Sequence, residues 1–595
     1  MTENKLPHWD MSVVYPSLES KEFQAGFQSA ANKIDELAKL FDQYSIAKRD
    51  AAPLDDATVG IFESVVNAVN ATIVHVQTLI VYINSFVTTD TRDTVAQAKL
   101  SEFQMHLVRL NQLGVRLSAW IGSLDVDALI AKSAVARDHA YFLRKAKIEA
   151  EHLMSPAEEE LAAELQLTGS VAWNKLHSDV SSQLLVTFEL DGKSESLPMS
   201  AIRNLAYDPN RDVRRRAYEA EIATWAGAAV PIAAAMNGIK GATNILSKRR
   251  KWGSPLDAAV FDNSIDRATL DAMMMAAREA FPDFRRYLRA KARALGLPVL
   301  AWYDLFAPLG NGGRTWTYDE GAQFIVEQFG TFSDKLSGMA ARAFRENWID
   351  AEPRLGKVDG AFCMSLRKDE SRVLTNFKPV FGGVSTIAHE LGHAYHNVNL
   401  AQRTMLQRET PMTLAETASI FCETIVTQAA LKKADKQEQI VILENSLQNS
   451  CQVVVDISSR FIFEQSVFEK RMQRALSVDE FNELILRAQR ETYGDGLDPE
   501  KLHPYMWAMK PHYYSSTFYN YPYMFGLLFG LGLYARYQSD PAKFKAGYDE
   551  LLSSTGLGDA AELATRFEID TRSPAFWRSS FDVIRRDVDR FDSLV

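Results

Sequence analysis

The pentapeptide His389-Glu390-Leu391-Gly392-His393 restricts what this chain can fold into more than any other feature. Two histidines four residues apart lie one turn from each other on the same face of an α-helix, so both imidazoles can bind one metal ion. Glu390 projects beside them, toward a water molecule on that ion. Zinc held in this way polarises a carbonyl group and lowers the pKa of its water to about 7. The pentapeptide therefore predicts a zinc hydrolase.

The alternative is a surface helix in which the His-Glu-His triplet is incidental. The neighbouring residues favour a packed helix instead. We expect Gly382-Gly383 to interrupt the preceding segment and Ser385 or Thr386 to cap the helix. An apolar face follows at helical spacing, made of Ile387, Ala388, Leu391 and Ala394. The motif is thus expected near the beginning of a helix.

The composition is that of a soluble globular protein. The 595 residues are 47% hydrophobic and 24% charged, enough for one large two-lobed unit or several domains. A net charge of −10 argues against a nucleic-acid partner. The basic clusters 214–216 and 248–251 have acidic neighbours and are predicted to be solvated helix faces.

Cysteine usage and the absence of an apolar leader favour the cytoplasm. The three cysteines form neither a disulfide framework nor a zinc-finger spacing, which suits a reducing compartment. The first residues contain no apolar stretch typical of a signal peptide. Residues 513–535 carry no formal charge, but their first half contains Ser515, Ser516, Thr517 and Asn520. We therefore expect a buried, tyrosine-rich cleft wall there and no membrane partner.

Amphipathic helical periodicity dominates the chain, in segments 22–48, 93–122, 156–166, 211–225, 264–294, 318–346, 435–475 and 478–492. Strand signals are local: 184–190 followed by Asp191-Gly192 predicts a hairpin, and 360–377 predicts a second hairpin with a charged turn. Gly310-Asn311-Gly312-Gly313 predicts a turn, since no phosphate-loop lysine follows it. The expected division is an N-terminal helical lobe, 1–195, and a catalytic domain, 196–595.

Two histidines need a third protein ligand, with an open position left for water. His396 shares their face, but a rise of about 1.5 Å per residue places it about 10 Å along the helix axis from His389. We therefore expect His396 to pack near the ligands without binding the metal. The carboxylates that follow are Glu409, Glu416 and Glu423.

Glu416 is the favoured third ligand. It lies in the mostly apolar run 414–421, which we expect to be a buried helix, and a buried carboxylate needs a partner such as a metal. Alternatively, Thr413 and Glu416 fit a capping box, which would occupy that carboxylate at a helix start. Glu423 lies two turns further along the same face, where it could orient a ligand or form a salt bridge.

These residues resemble the oligoendopeptidase F family of the thimet oligopeptidase superfamily. That family carries His-Glu-x-Gly-His-x-x-His, followed by a glutamate in an Ala-Glu-x-Ala-Ser context. Residues 389–396 and 415–419 match the two patterns, and the second match singles out Glu416 from its neighbours. Further similar stretches are 6–10, 15–16, 212–220, 302–305 and 360–363.

The resemblance covers most of the chain and is weaker in the N-terminal third. It implies a mainly α, two-lobed metallopeptidase with a deep substrate channel, zinc on its floor and small β-hairpins near the active site. It also implies cleavage inside short, unstructured peptides, because such a channel admits only thin substrates.

Peptide hydrolysis also requires a group that stabilises the tetrahedral oxyanion. The tyrosine-rich segment 512–523 offers several, and the resemblance places a histidine followed by tyrosines here. His512 matches that histidine. We favour Tyr519 and Tyr523, one turn apart if this part is helical, although Pro522 would distort it. The alternative for each tyrosine is aromatic packing in a buried wall.

The second predicted hairpin is a candidate for substrate binding. An exposed strand edge can pair with an extended peptide through backbone hydrogen bonds, with little regard to its sequence. Gly360 would allow close approach, so Gly360, Ala361 and Phe362 are the predicted contacts, partly by family likeness.

Together these patterns predict a cytoplasmic endopeptidase with one zinc ion per chain and oligopeptide substrates. His389, His393 and Glu416 would hold the metal, and Glu390 would be the general base. One alternative is an exopeptidase, with a cationic residue that grips the terminal carboxylate. The other is a non-catalytic peptide-binding protein with a vestigial site.

Overall fold

The computed structural model describes residues 5–50, 53–190, 192–310 and 314–595, and helices account for most of them, which confirms the mainly α prediction. In chain order the helices are α1 (Lys21–Gln43), α2 (Asp56–Thr89), α3 (Thr94–Gly122), α4 (Val126–Lys132), α5 (Ala134–Asp138), α6 (Ala140–Glu151), α7 (Pro156–Thr168), α8 (Ser170–Ser182), α9 (Met199–Asn204), α10 (Arg211–Arg249), α11 (Pro255–Asp262), α12 (Arg267–Ala294), α13 (Tyr318–Phe332), α14 (Asp334–Arg345), α15 (Phe381–Leu400), α16 (Met412–Ala415), α17 (Thr417–Lys433), α18 (Lys436–Cys451), α19 (Ile457–Arg471), α20 (Val478–Tyr493), α21 (Met506–Met509), α22 (His512–Ser515), α23 (Tyr521–Ser539), α24 (Pro541–Ser553), α25 (Ala560–Arg566) and α26 (Pro574–Leu594).

Helix boundaries differ from the periodic segments where a single residue breaks the backbone. The segment 318–346 is two helices, α13 and α14, because Ser333 is extended (ψ 148°) and its side chain caps α14. The hydrophobic spacing continues on both sides of this break, so periodicity alone does not show it. The segment 435–475 is nearly continuous, with π-helix over Gln452–Asp456 joining α18 to α19.

Both predicted hairpins are present. Strands β1 (Leu185–Leu190) and β2 (Lys193–Pro198) pair antiparallel; Asp191 of their predicted turn lies outside the described residues. Strands β3 (Ile349–Asp350), β4 (Phe362–Arg367) and β5 (Glu370–Leu374) form a sheet of order β3-β5-β4. Strand β4 is antiparallel to β5, and β3 is parallel to it. Residues 311–313 of the predicted glycine-rich turn also lie outside the described part of the chain.

The chain divides into two compact units, each assembled from separated stretches. Unit 1 consists of residues 1–153, 314–430 and 536–567, and unit 2 of residues 154–313, 431–535 and 568–595. The division at 195/196 stays a prediction. A sequence without a composition break or linker offers no sign that one unit interrupts the other along the chain.

Unit 1 contains the sheet, α15 and a core from the N-terminal helices. Phe62, Val65 and Val66 of α2 are fully buried with Trp120 and Ile121 of α3. Each such side chain contributes about 2 kcal/mol by leaving water. Strand β4 packs on α2, and the Gln77 amide donates to the Ser365 carbonyl oxygen at 3.1 Å.

The N-terminal segment of unit 1 is part of the support of its sheet. Ala351 N donates to Pro7 O at 2.9 Å, and the Arg372 guanidinium of β5 donates to Asp10 O at 3.0 Å. The stretch that resembles the family's opening segment therefore holds the sheet beside α15.

Unit 2 has its own core, built on α10, α19 and α20. Ala235, Met236, Phe481 and Trp507 are fully buried in it. One expectation is wrong: Arg214 is not solvated but 3% exposed, because its guanidinium donates to the buried Asp304 at 3.0 Å.

Among the described residues, α2 and α10 are long and apolar enough to cross a membrane by length and composition alone. Both contribute buried side chains to the unit cores, and core helices of globular proteins pass the same test. The uncharged stretch 513–535 is largely buried, with Tyr513, Tyr521 and Phe525 at most 1% exposed.

Candidate metal centre

Helix α15 carries the His-Glu-x-x-His motif in unit 1. Its apolar residues recur every three or four positions, and Val384, Ile387, Ala388 and Leu391 are fully buried. The helix begins at Phe381, earlier than predicted, directly after an extended Val380. A Cβ at position 383 would lie 2.3 Å from Lys378 O, so a glycine is required for the incoming chain to fold back this closely.

The predicted caps of α15 are wrong, because Ser385 and Thr386 lie inside the helix. Thr386 donates its hydroxyl to Gly382 O at 2.9 Å. Ser385 donates its hydroxyl to Glu423 Oε1 at 3.1 Å, which joins α15 to α17.

At Gly392, helix α15 comes close to the backbone of α17. A Cβ at this position would lie 2.5 Å from Ser419 Cα and 2.7 Å from Ala418 O. Only glycine leaves room for two backbones at this distance. The central glycine of the motif therefore brings the histidine face of α15 against the segment that carries Glu416.

Three ligand atoms converge at this crossing: one each of His389, His393 and Glu416, all within 4.8 Å of one another. Glu416 Oε2 lies 3.2 Å from His389 Nε2 and 3.5 Å from His393 Nε2. Ligands about 2.0–2.1 Å from a tetrahedral zinc ion lie about 3.4 Å apart, so these residues fit zinc.

Glu416 lies between two helices, which corrects the expectation of one continuous helical run. Helix α16 ends at Ala415, α17 begins at Thr417, and Glu416 has φ −85° and ψ 3°. Its Oε2 accepts a hydrogen bond of 2.6 Å from the Ser419 hydroxyl. Helix α16 begins after Pro411, so the carboxylate faces the histidines and not a helix start at Thr413.

Glu423 contacts the second ring nitrogen of His389, Nδ1. Its Oε2 lies 3.0 Å from His389 Nδ1. A neutral imidazole carries one ring proton. When Nδ1 carries it and donates it to Glu423, Nε2 presents a lone pair toward Glu416 Oε2, and two acceptors then lie 3.2 Å apart. A cation resolves that repulsion. Burial opposes the charge on His389, but the Glu416 and Glu423 carboxylates outweigh it and raise its pKa.

Burial also sets the charge of the neighbouring groups. It lowers the pKa of His393 to about 4, so this imidazole is neutral and suited to metal binding. Burial raises the pKa of Glu390 to about 7, since few polar groups compensate its charge. Glu390 is 5% exposed, and its Oε2 has no hydrogen-bond partner among the described residues.

His396 is a buried residue of α15 and is not one of the three residues whose ligand atoms converge. It is 4% exposed, and its Nε2 lies 2.8 Å from Thr555 Oγ1. Burial lowers its pKa to about 4. Thr555 is 159 positions away, and nothing in the sequence pointed to it.

The predicted substrate-binding residues lie at the edge of the sheet in unit 1. Strand β4, which begins with Phe362, has β5 on one side and no second strand among the described residues. Gly360 is exposed with φ +83°, a conformation that favours glycine, and its carbonyl oxygen accepts from the Asn376 amide. Both β4 and β5 pack on α15.

His512, Tyr519 and Tyr523 belong to unit 2, where they form one cluster. The rings of His512 and Tyr519 stack with centroids 4.8 Å apart, and the hydroxyls of Tyr519 and Tyr523 lie 2.8 Å apart. Tyr519 precedes α23 and is not helical, which corrects the expected one-turn spacing. Pro522 is the second residue of α23, where a helix tolerates proline.

Known proteins match this chain over the region that contains these site residues. The model of peptidase family M3 matches residues 204–583, and the model of oligopeptidase F matches residues 121–184. An oligoendopeptidase F homolog of Lactococcus lactis subsp. lactis is 25% identical over 395 residues, 66% of this chain and 66% of that protein. The chain thus spans just under two thirds of this relative.

Two further similarities cover more of the chain. The group B oligopeptidase PepB of Streptococcus agalactiae is 22% identical over 508 residues, 84% of this chain and 83% of the relative. Oligoendopeptidase-F from Enterococcus faecium has the same fold, with a TM-score of 0.70 at 16% identity over 96% of this chain and 99% of that one. The family resemblance read from the sequence is confirmed, and the chain belongs to peptidase family M3.

Proposed function

We propose that the protein is a zinc-dependent endopeptidase that hydrolyses internal peptide bonds of short oligopeptides, with one zinc ion per chain. The observation that carries the proposal is the convergence of His389, His393 and Glu416. The neighbouring Glu390 has a buried Oε2 that accepts no hydrogen bond from the described residues. The names of the M3 relatives, which are oligopeptidases, support the substrate class.

Four side chains of α15 and α17 have distinct roles in this proposal. When bound, zinc would polarise the scissile carbonyl group and acidify the attacking water. His389 and His393 bind through Nε2, and the Glu423 carboxylate keeps the proton of His389 on Nδ1. Glu390 accepts the water proton at Oε2 and later transfers it to the leaving amine.

The donor for the oxyanion would come from the tyrosine-rich segment 512–523, as the family resemblance implies. The phenol hydroxyls of Tyr519 and Tyr523 lie 2.8 Å apart, so each can donate a hydrogen bond in this cluster. We assign that donor to Tyr519 or Tyr523, with His512 fixing the plane of the Tyr519 ring by stacking. A hydrogen bond to the developing oxyanion stabilises the transition state more than the substrate.

The edge of β4 provides the place for the substrate backbone. An extended peptide would pair with Gly360, Ala361 and Phe362 through main-chain hydrogen bonds, which gives affinity without sequence preference.

Cys363, Cys422 and Cys451 are free thiols, which supports a reducing compartment such as the cytoplasm.

The test is cleavage of an internally quenched oligopeptide with an amidated C-terminus, with and without a zinc chelator. We expect internal cleavage, located by mass spectrometry, that chelation abolishes and zinc restores. A carboxypeptidase would stall on the amidated end, and a binding protein would leave the peptide intact. Either result would overturn the proposal.

The matched variants are Glu390→Gln and Glu409→Gln. The first removes the base but no ligand, so zinc content should stay at one per chain while kcat falls by about 10³-fold. Glu409 is exposed and lies outside the ligand set, so its variant should retain both zinc and kcat. Normal kcat in Glu390→Gln would contradict the mechanism.

A further inference from the structure

The segment that carries Tyr519 contains a strained backbone conformation outside any helix or strand. Residues 516–520 join α22 to α23 without helix or strand. Phe518 has φ +49°, a left-handed conformation that is strained for a residue with a side chain. Such a conformation persists only where the surroundings over-determine it.

Two buried charges from other helices supply that constraint. Glu464 Oε1 of α19 accepts from Phe518 N at 3.2 Å and from Lys240 Nζ at 2.6 Å. Lys240 Nζ of α10 also donates to Ser516 O at 3.3 Å. The pair therefore binds the backbone on both sides of residue 517. Lys240 is 1% exposed and Glu464 is 3% exposed.

The Phe518 side chain is held in the same place. Its ring is 3% exposed and lies between Phe461 and Phe468 of α19, each with a centroid distance of 5.4 Å. Lys240 Nζ lies over the Phe468 ring, 4.8 Å from its centroid. Residue 519 follows directly, so its position is set by these contacts.

Stability alone does not explain this pair. A buried ion pair gains little over well-packed apolar residues of similar volume, because desolvation of the two charges offsets their attraction. What apolar side chains could not do is hydrogen-bond the carbonyl group of Ser516 and the amide of Phe518.

We propose that Lys240 and Glu464 are positioning residues for Tyr519. They fix the backbone of segment 516–520 so that the Tyr519 ring stacks on His512 and its hydroxyl meets that of Tyr523. This inference rests on the proposed function, since it assigns the purpose of the pair to the oxyanion donor.

Unit 2 contains a matched control pair, Lys291 and Glu444. It is equally buried, joins α12 to α18, and its Lys291 also donates to a backbone carbonyl, that of Leu305, at 2.7 Å. Glu444 accepts from the Tyr287 hydroxyl at 3.0 Å. None of these partners belongs to segment 516–520.

The experiment compares the full-length double variants Lys240→Met/Glu464→Leu and Lys291→Met/Glu444→Leu. We expect both to keep zinc and to lose similar stability. Only the first should lower kcat, by about 30- to 100-fold, with KM within about threefold, because a displacement of about 1 Å at a reacting group costs about 100-fold. Hydrogen–deuterium exchange should show faster exchange of residues 516–520 in the first variant alone.

Glu464→Gln is the conservative variant, since its amide oxygen still accepts from Phe518 N and Lys240 Nζ. It should stay within about threefold of the wild-type kcat, and a loss of about 30-fold or more would overturn the inference even if the double variant does not fold. Equal kcat losses in both double variants, wild-type exchange of residues 516–520, or a Glu464→Gln loss as large as that of the double variant would overturn the inference. Failure of the proposed function is separate: wild-type protein would then be inactive while the exchange result still stood.

Discussion

Replacing Gly392 by alanine tests whether the crossing of α15 and α17 sets the spacing of the metal ligands. The added methyl group would lie 2.5 Å from Ser419 Cα, and ordinary contact begins at 3.4 Å, so the helices must separate by about 0.9 Å (3.4 minus 2.5). The three atoms in its way, Ser419 Cα, Ala418 O and Ala418 C, are all backbone atoms, so no change of rotamer relieves the clash.

Both the stability and the metal affinity should change. Overpacking costs about 1–3 kcal/mol, while alanine in a helix interior gains up to about 1 kcal/mol over glycine. The free energy of unfolding should therefore fall by about 0–3 kcal/mol. The separation acts between His393, which is adjacent to residue 392, and Ser419, which binds Glu416. We expect zinc affinity to fall by about 10- to 100-fold, as when a supporting contact of a ligand is lost.

The assay is zinc competition against a chromophoric chelator, with urea unfolding of the same samples. Gly382→Ala is the control, because Gly382 lies in the same helix and its Cβ would have nothing within 4 Å. The control should retain zinc affinity. Wild-type zinc affinity and kcat in Gly392→Ala would refute the reasoning, since ligand spacing would then not depend on this contact.

Two further predictions concern a residue that contacts a ligand and a partly buried lysine. Glu423→Ala removes the acceptor of His389 Nδ1 and should lower zinc affinity by about 10- to 100-fold in the same competition assay; unchanged affinity would show that Glu423 does not orient the ligand. Burial, and next the charge of Arg460, lower the pKa of Lys510 from 10.5 to about 7 in the folded protein. Between these values the unfolded chain holds more protons, so the free energy of unfolding should rise with pH, by at most about 1.4 kcal/mol per unit. Lys510→Met should flatten that rise between pH 7 and 9 in urea titrations, and an identical slope would contradict the assignment.

The convergence of the two histidines proposed as metal ligands could be predicted from the sequence because their geometry is local. The four-residue spacing of His389 and His393 fixes their common face once a helix forms, and the helix rise separates His396 from them. Glu416 required more than periodicity. Its residue type and its place in a mostly apolar run narrowed the choice, and the Ala-Glu-x-Ala-Ser match selected it, but the helix break at residue 416 was not visible in that run.

The partners of His396 and of the segment around Tyr519 could not be predicted, because they lie far away along the chain. The partner of His396 is Thr555, and the contacts that hold Tyr519 come from Lys240 and Glu464. No spacing rule connects residues so far apart along the chain. The left-handed backbone of Phe518 was equally hidden, because nothing marks an aromatic residue for that conformation.

The interleaving of the two units has a consequence for synthesis on the ribosome. Helix α15 and Glu416 emerge before the last stretch of unit 1, residues 536–567, which contains Thr555. All of residues 431–535, which belong to the other unit, are made in the interval. A nascent chain that stops in this interval has its motif complete but the buried face of His396 uncovered. Acquisition of the metal should therefore follow translation of residues 536–567, because this stretch supplies the contact of His396 in the ligand helix.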